Sequence, residues 1–176
     1  MENKEEKGVL KGRASAIENT AGEKYLTFFI DEQLFAIKSS YVVEIIRIQP
    51  ITLMPKLPPY VKGVINLRGK IVTLIDLRIK LNKPELPYNE RTSIIVVEAD
   101  EFSVGFIVDR VNDVANIVQS QISETPKLGK DTLTNYVTGI ATLEDGVAMV
   151  LSVMNLLSEK DVDVKPTVAD ARALGA

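Results

Sequence analysis

The sequence predicts a mainly β protein made of two small five-stranded barrels packed together, with short helices, and three observations carry that prediction. First, the chain contains itself twice: YVKGVINLRGKIVTLIDLRIKL, residues 60–81, returns without a gap as YVTGIATLEDGVAMVLSVMNLL, residues 136–157. Tyr60 falls on Tyr136, Gly63 on Gly139, Leu67 on Leu143 and Leu81 on Leu157, the self-similarity of a repeat architecture. Second, the apolar and β-branched runs are short and broken by turn residues, with few helical stretches between them. Third, each copy has roughly 65 residues, a size at which a lone core is marginal. The copies should therefore pack on each other, and short-stranded units remove their exposed edges by closing. The expected division is a flexible tail over 1–23, one barrel over 24–88, a second over 89–158 and a tail or short helix over 159–176.

Taken in order, YLTFFI from Tyr25 to Ile30 is apolar on both alternating faces, as a strand covered on two sides is. Asp31, Glu32 and Gln33 then turn it into LFAIK, which makes a hairpin. Ser39 and Ser40 offer helix caps to VVEIIRI, but its β-branched pairs disfavour a helix, so one helical turn leading into a strand is expected. Pro50, Pro55, Pro58 and Pro59 deny ladder hydrogen bonds and mark a crossing loop. The runs 61–67 and 71–75 flank Arg68-Gly69-Lys70, which places Arg68 at a hairpin tip with its guanidinium pointing outward. Asp76 precedes LRIKL as an N-cap, and Ser152 holds the equivalent place in the second copy. A polar, proline-containing linker over 82–90 leads to SIIVVEA, where the second copy starts. There FSVGFIV answers LFAIK and VNDVANI answers VVEIIRI, with Val111 on Val42, Asp113 on Glu44 and Val114 on Ile45. The segment Gln119–Asn135 is about seven residues longer than its counterpart, an insertion of the sort loops tolerate. Asp145-Gly146 suits a type I′ turn. A helix is expected from Ser152 to about Glu159, and another after Thr167.

Composition narrows the chemistry. A net charge of -3, with 26% charged residues of both signs interspersed, gives no electrostatic footprint for nucleic acid or an anionic membrane. No segment reaches the roughly 20 apolar residues of a membrane helix or the h-region of a signal peptide, so the expected place is the cytoplasm. Cysteine and histidine are both absent, which removes thiolate chemistry, disulfides and the commonest general base and metal ligand. Phosphate-cradling and nucleophile motifs are missing. The acidic series Asp100, Glu101, Asp109 and Asp113 suggests a carboxylate-based, metal-dependent hydrolase as one reading, and turn and surface charge as the plainer one. No catalytic residue, metal or cofactor is expected. What stands out instead are charges at turns beside apolar strand faces: Arg68, whose counterpart is Glu144 and which the repeat therefore does not require, and Glu44, bracketed by aliphatic neighbours. Arginine is enriched at binding hot spots.

The series YLTFFIDEQLFAI, VVEIIRI, PYVKGVINLRGKIVTLIDLR, VGFIVDRVNDV and YVTGIATLEDGVAMVL resembles the CheW-type coupling proteins of bacterial chemotaxis over residues 24 to about 158. The resemblance implies paired SH3-like barrels and a non-catalytic adaptor. Its partners would be the cytoplasmic tip of methyl-accepting chemotaxis receptors and the regulatory domain of the histidine kinase CheA, in arrays at the membrane without insertion into it. Matching motif positions imply a receptor groove of Val42, Glu44, Ile45, Gly63, Arg68, Gly105, Val111 and Val114, and kinase contacts at Ser123 and Leu128. Ser123 and Lys127 depart from the groups usual in that loop. A CheW-like module of a kinase, or a fusion with a receiver, is the alternative within the family.

Overall fold

In the computed structural model the described residues are 22–125 and 133–157. The expected tails, Lys127, Leu128 and the helix after Thr167 lie outside them. Eleven strands are present: β1 (Glu23–Ile30), β2 (Gln33–Lys38), β3 (Val42–Arg47), β4 (Val61–Leu67), β5 (Lys70–Asp76), β6 (Ser93–Ala99), β7 (Phe102–Val108), β8 (Arg110–Ile117), β9 (Ile122–Ser123), β10 (Val137–Leu143) and β11 (Gly146–Leu151). Three single-turn helices accompany them: α1 (Leu77–Lys80), α2 (Leu133–Tyr136) and α3 (Val153–Leu156). The β1–β2 hairpin, the 3-10 turn at Ser39–Tyr41 before β3, and the caps at Asp76 and Ser152 all stand as expected.

The sheets do not divide where the linker does. One has the order β3-β6-β7-β5-β4 and the other β8-β1-β2-β11-β10-β9, so each draws strands from both sides of residues 88 and 89. With β1–β5 as the first copy and β6, β7, β8, β10 and β11 as the second, one permutation describes both sheets. Each takes the first two strands of one copy and the last three of the other. The exchange keeps register to the residue. Leu74 lies opposite Gly105 in the parallel pair β5–β7, and their counterparts Val150 and Ala36 lie opposite each other in β11–β2. Ladder shifts recur at Val61/Gly63 and Val137/Gly139. The duplication read from sequence is thus one unit used twice, with its hairpins exchanged. β9 makes the second sheet six-stranded, an addition to the expected five.

Strand alternation explains why so many runs are apolar on both faces. Phe35 and Ile37 of β2, Ile95 and Val97 of β6, and Val104, Phe106 and Val108 of β7 enter one core shared by the two sheets. The opposite faces of the same strands serve separate cores: Ala36 with Ala148 and Val150 in one sheet, Ile94 and Val96 with Val72 and Leu74 in the other. Each sheet is also drawn round on itself. Thr52, in the proline-rich segment after β3, bridges to Val64 of β4, and the equivalent β9 after β8 pairs with β10. Gly63 and Gly139 make this closure possible. A Cβ on Gly63, whose φ is 140°, would collide with the Thr52 carbonyl oxygen, and one on Gly139 would come within 2.6 Å of Ile122 Cγ2.

One turn differs from expectation. Leu143 pairs with Gly146, so the tip residues are Glu144 and Asp145, and neither has the positive φ a type I′ turn requires. The acidic tip residues keep φ negative and leave the unusual dihedral to Gly146, at 139°. The type I′ dihedrals occur instead at Arg68 (φ 52°) and Gly69 (φ 86°).

Two outcomes test this architecture. Residues 22–88 and 89–157 prepared as separate chains should each lack a stable sheet by circular dichroism and regain it on mixing; two independently folded halves would contradict the exchange. Gly63→Ala should lose at least about 3 kcal/mol in urea unfolding, because it adds overpacking to a strained dihedral, whereas Gly69→Ala, with nothing within 4 Å of its Cβ, should lose clearly less.

Candidate functional site

Arg68 and Glu44 are brought together. Their strands β4 and β3 stand at opposite ends of one sheet order, so their contact exists only because the sheet curls round. Arg68 Nη1 donates to Glu44 Oε1 at 3.0 Å, and Nη2 donates to Oε2, a two-point clasp. The hydrogen bond from Arg68 holds the Glu44 carboxyl below its ordinary range, and the same bond raises the guanidinium. The Asn66 side chain accepts from Gly69 N at 2.8 Å and fixes the tip. The turn does not ask for arginine: its left-handed dihedral favours Gly or Asn.

Val42 and Val111 occupy equivalent places on β3 and β8, and both pack at the rim of the shared core. Ile45 and Val114, also equivalent, are 44% and 50% exposed. Five of the eight groove residues therefore sit on two strands related by the repeat, each at one end of its sheet's strand order, and Arg68 reaches β3 at Glu44. Gly63 and Gly105 are buried. Gly63 lies against the Thr52 backbone, and a Cβ on Gly105 would come within 2.6 Å of Leu74 and 2.7 Å of Ile94. They shape the sheet from within and present no side chain to the surface. Ser123 is exposed on β9 beside Ile140.

The acidic series is dispersed. Asp113 accepts from the adjacent Val114 N–H, Asp100 occupies a turn with φ 55°, and Asp109 belongs to an ion-pair network. Among the described residues no three acidic groups gather as metal ligands.

A comparison with known proteins places the chain. The family model for the CheW-like domain matches residues 24–161. The chain belongs to the CheW-like family. It is similar to the chemotaxis protein CheW of Klebsiella aerogenes, 33% identical over 150 residues that cover 85% of this chain and 90% of that one. CheW of Bacillus subtilis is 40% identical over 112 residues, covering 63% and 72%. The crystal structure of the scaffolding protein TtCheW from Thermoanaerobacter tengcongensis superposes with a TM-score of 0.72 at 30% identity, over 78% of this chain and 93% of that one. Paired SH3-like subdomains are thus the CheW-like architecture on which this chain is built.

Within that frame, sequence reasoning passed over the most buried cation among the described residues. Arg78, 4% exposed in α1, donates through Nε to Asp109 Oδ1 at 2.8 Å, through Nη2 to Asp31 Oδ1 and through Nη1 to the Pro84 carbonyl at 3.1 Å. Asp109 Oδ2 in turn accepts from Asp31 N at 2.7 Å. Burial works against the charge of Arg78, but the bonds from Asp109 and Asp31 outweigh it and raise the guanidinium. The network ties α1, at the end of β5, to the β1–β2 turn and the start of β8 in the other sheet. Its signal was in the repeat: the counterpart of Arg78 is Met154, the same kind of mismatch that singled out Arg68. Replacing Arg78 with that Met should remove about 2–4 kcal/mol of stability, since Asp109 loses its cation and Asp31 keeps only Lys83, 3.7 Å away. Chemical unfolding that finds less than about 1 kcal/mol would make the network incidental.

Proposed function

We propose that this chain is a non-catalytic chemotaxis adaptor that couples methyl-accepting chemotaxis receptors to the histidine kinase CheA, working in the cytoplasm at membrane-bound arrays. We take β3 and β8 as the two sides of one receptor seam, and the observation that carries the reading is the Arg68–Glu44 clasp on β3. An arginine held in a left-handed tip dihedral, absent from the repeat and clasped to a glutamate between exposed aliphatic residues, is a device for recognition rather than folding. The CheW-like membership and the chemotaxis relatives support the same assignment. A helical hairpin at the receptor tip suits the seam: Val42, Ile45, Val111 and Val114 offer apolar burial, and Glu44 with Arg68 sets the register of the helix. Gly63 and Gly105 act from beneath, by holding β4 and β7 close to their neighbours. Kinase contact falls to Ser123, on β9 at the other end of the second sheet, and to Leu128.

Arg68→Glu should weaken capture of receptor tip peptides by more than about 1 kcal/mol while leaving the urea midpoint nearly unchanged, because an exposed ion pair contributes little to folding. The swapped variant Glu44→Arg/Arg68→Glu restores an ion pair but not the original charge pattern, and capture should stay weak. Full recovery would mean that the pair merely braces β3. Because the Glu44 pKa is depressed in the folded protein, the clasp is complete at neutral pH and is lost only as pH falls through that lowered value.

A further inference from the structure

Away from the seam, the linker over 84–92 and the start of β8 enclose a cleft of about 210 Å³ lined by three arginines, Arg78, Arg91 and Arg110. We infer that this cleft is a docking site for an acidic side chain of a protein partner, a carboxylate flanked by aliphatic residues. Charge decides the ligand class. The two carboxylates in the cleft are already engaged: Asp109 accepts from Arg78 and from Asp31 N, while Asp76 accepts from Tyr88 Oη at 2.8 Å and Arg78 N at 2.9 Å. Arg78 spends its donors on Asp109, Asp31 and Pro84. Arg91 and Arg110 remain, and among the described residues neither guanidinium has a carboxylate within ion-pairing distance. Arg110 is held in place by stacking on Phe29, 3.9 Å from the ring centroid, which leaves the edge of the guanidinium free to donate. Each planar fork suits a carboxylate at two points.

Size and lining decide the source. The volume is below the roughly 300 Å³ where drug-sized ligands begin, so the cleft takes one side chain and not a cofactor. Leu86, 49% exposed, and Pro87 give it an apolar lip that a free inorganic anion does not use but the neighbours of a peptide carboxylate do. The wall is stiff as well, since Tyr88 is pinned to the buried Asp76; burial, with Asp76 beside it, pushes the phenol well above its ordinary range and keeps its proton in place.

The test uses the full chain and NMR titration with the peptide Ac-Leu-Glu-Glu-Leu-NH2, its Gln-Gln counterpart, and inorganic phosphate. The acidic peptide should shift the Arg91 and Arg110 Nε–H and Leu86 methyl resonances. The Gln peptide should not, and affinity should fall with added salt. Arg91→Gln/Arg110→Gln should weaken binding at least about tenfold, while Arg68→Glu should bind as the unaltered protein does, which separates this cleft from the seam. Equal binding of the Gln peptide, phosphate binding without peptide binding, or no shift in any arm would overturn the inference.

Discussion

Phe28, Phe35 and Phe106 are fully buried in the core that the two sheets share, and the rest of the molecule depends on that core. Phe28 and Phe35 stack within one sheet, their ring centroids 6.0 Å apart. A unit of roughly 65 residues has too little interior to be secure alone. Exchanging hairpins gives every central strand two covered faces, one toward its own sheet's core and one toward the common core. Breaking the molecule into halves then means losing strand pairing and apolar burial together. The helical turns after β5 and β11 serve the same end. Asp76 N donates to the Tyr60 carbonyl at 2.8 Å and Ser152 N to the Tyr136 carbonyl at 2.9 Å, so each copy locks the end of its last strand to the residue before its fourth.

On this symmetric frame the departures from symmetry are where chemistry collects. Lys80 stands where the second copy has the buried Leu156; it is itself buried, and its ammonium lies 4.1 Å from the Tyr60 ring centroid and 5.5 Å from that of Tyr136. The two tyrosines that open the repeated motif thus share one cation, a contact that joins the copies near the seam. Arg78 replaces Met154 and draws both its carboxylates from the opposite sheet. Arg68 replaces Glu144 and clasps β3. All three are cations added to the first copy alone, and two of them hold elements of different sheets or copies together.

Much of this was legible because local physics fixes it. Two apolar runs around the polar break at 31–33 gave the β1–β2 hairpin, the residues able to cap gave α1 and α3, and the repeat itself named Tyr60, Gly63 and Arg68. Strand exchange was not legible: alternation shows that Phe35 and Ala36 face opposite sides, but nothing in the sequence says which strand covers each. The buried role of Gly63 was half visible, because a repeated glycine signals close approach without naming Thr52 as the neighbour. Asp145-Gly146 misled because its type I′ preference is statistical, and a tip whose acidic residues keep negative φ forms as readily. Asp109 looked like surface charge because its partner, Arg78, is 31 residues distant and its burial comes from the fold.

The exchange also bears on the proposed adaptor role. β3 and β8, equivalent strands at the outer edges of different sheets, meet the common core at Val42 and Val111, so the proposed seam would present nearly the same apolar edge twice. A helical hairpin of the proposed kind is itself nearly two-fold, and it would meet a matching surface there without specialised pockets. Orientation then has to come from what the repeat does not duplicate. On the first side Glu44 is neutralised by Arg68; on the second, the equivalent Asp113 faces solvent and the residue equivalent to Arg68 is Glu144. One half of the seam is therefore a neutral clasp and the other carries acidic groups, which is enough to make the two antiparallel placements of a helical hairpin unequal.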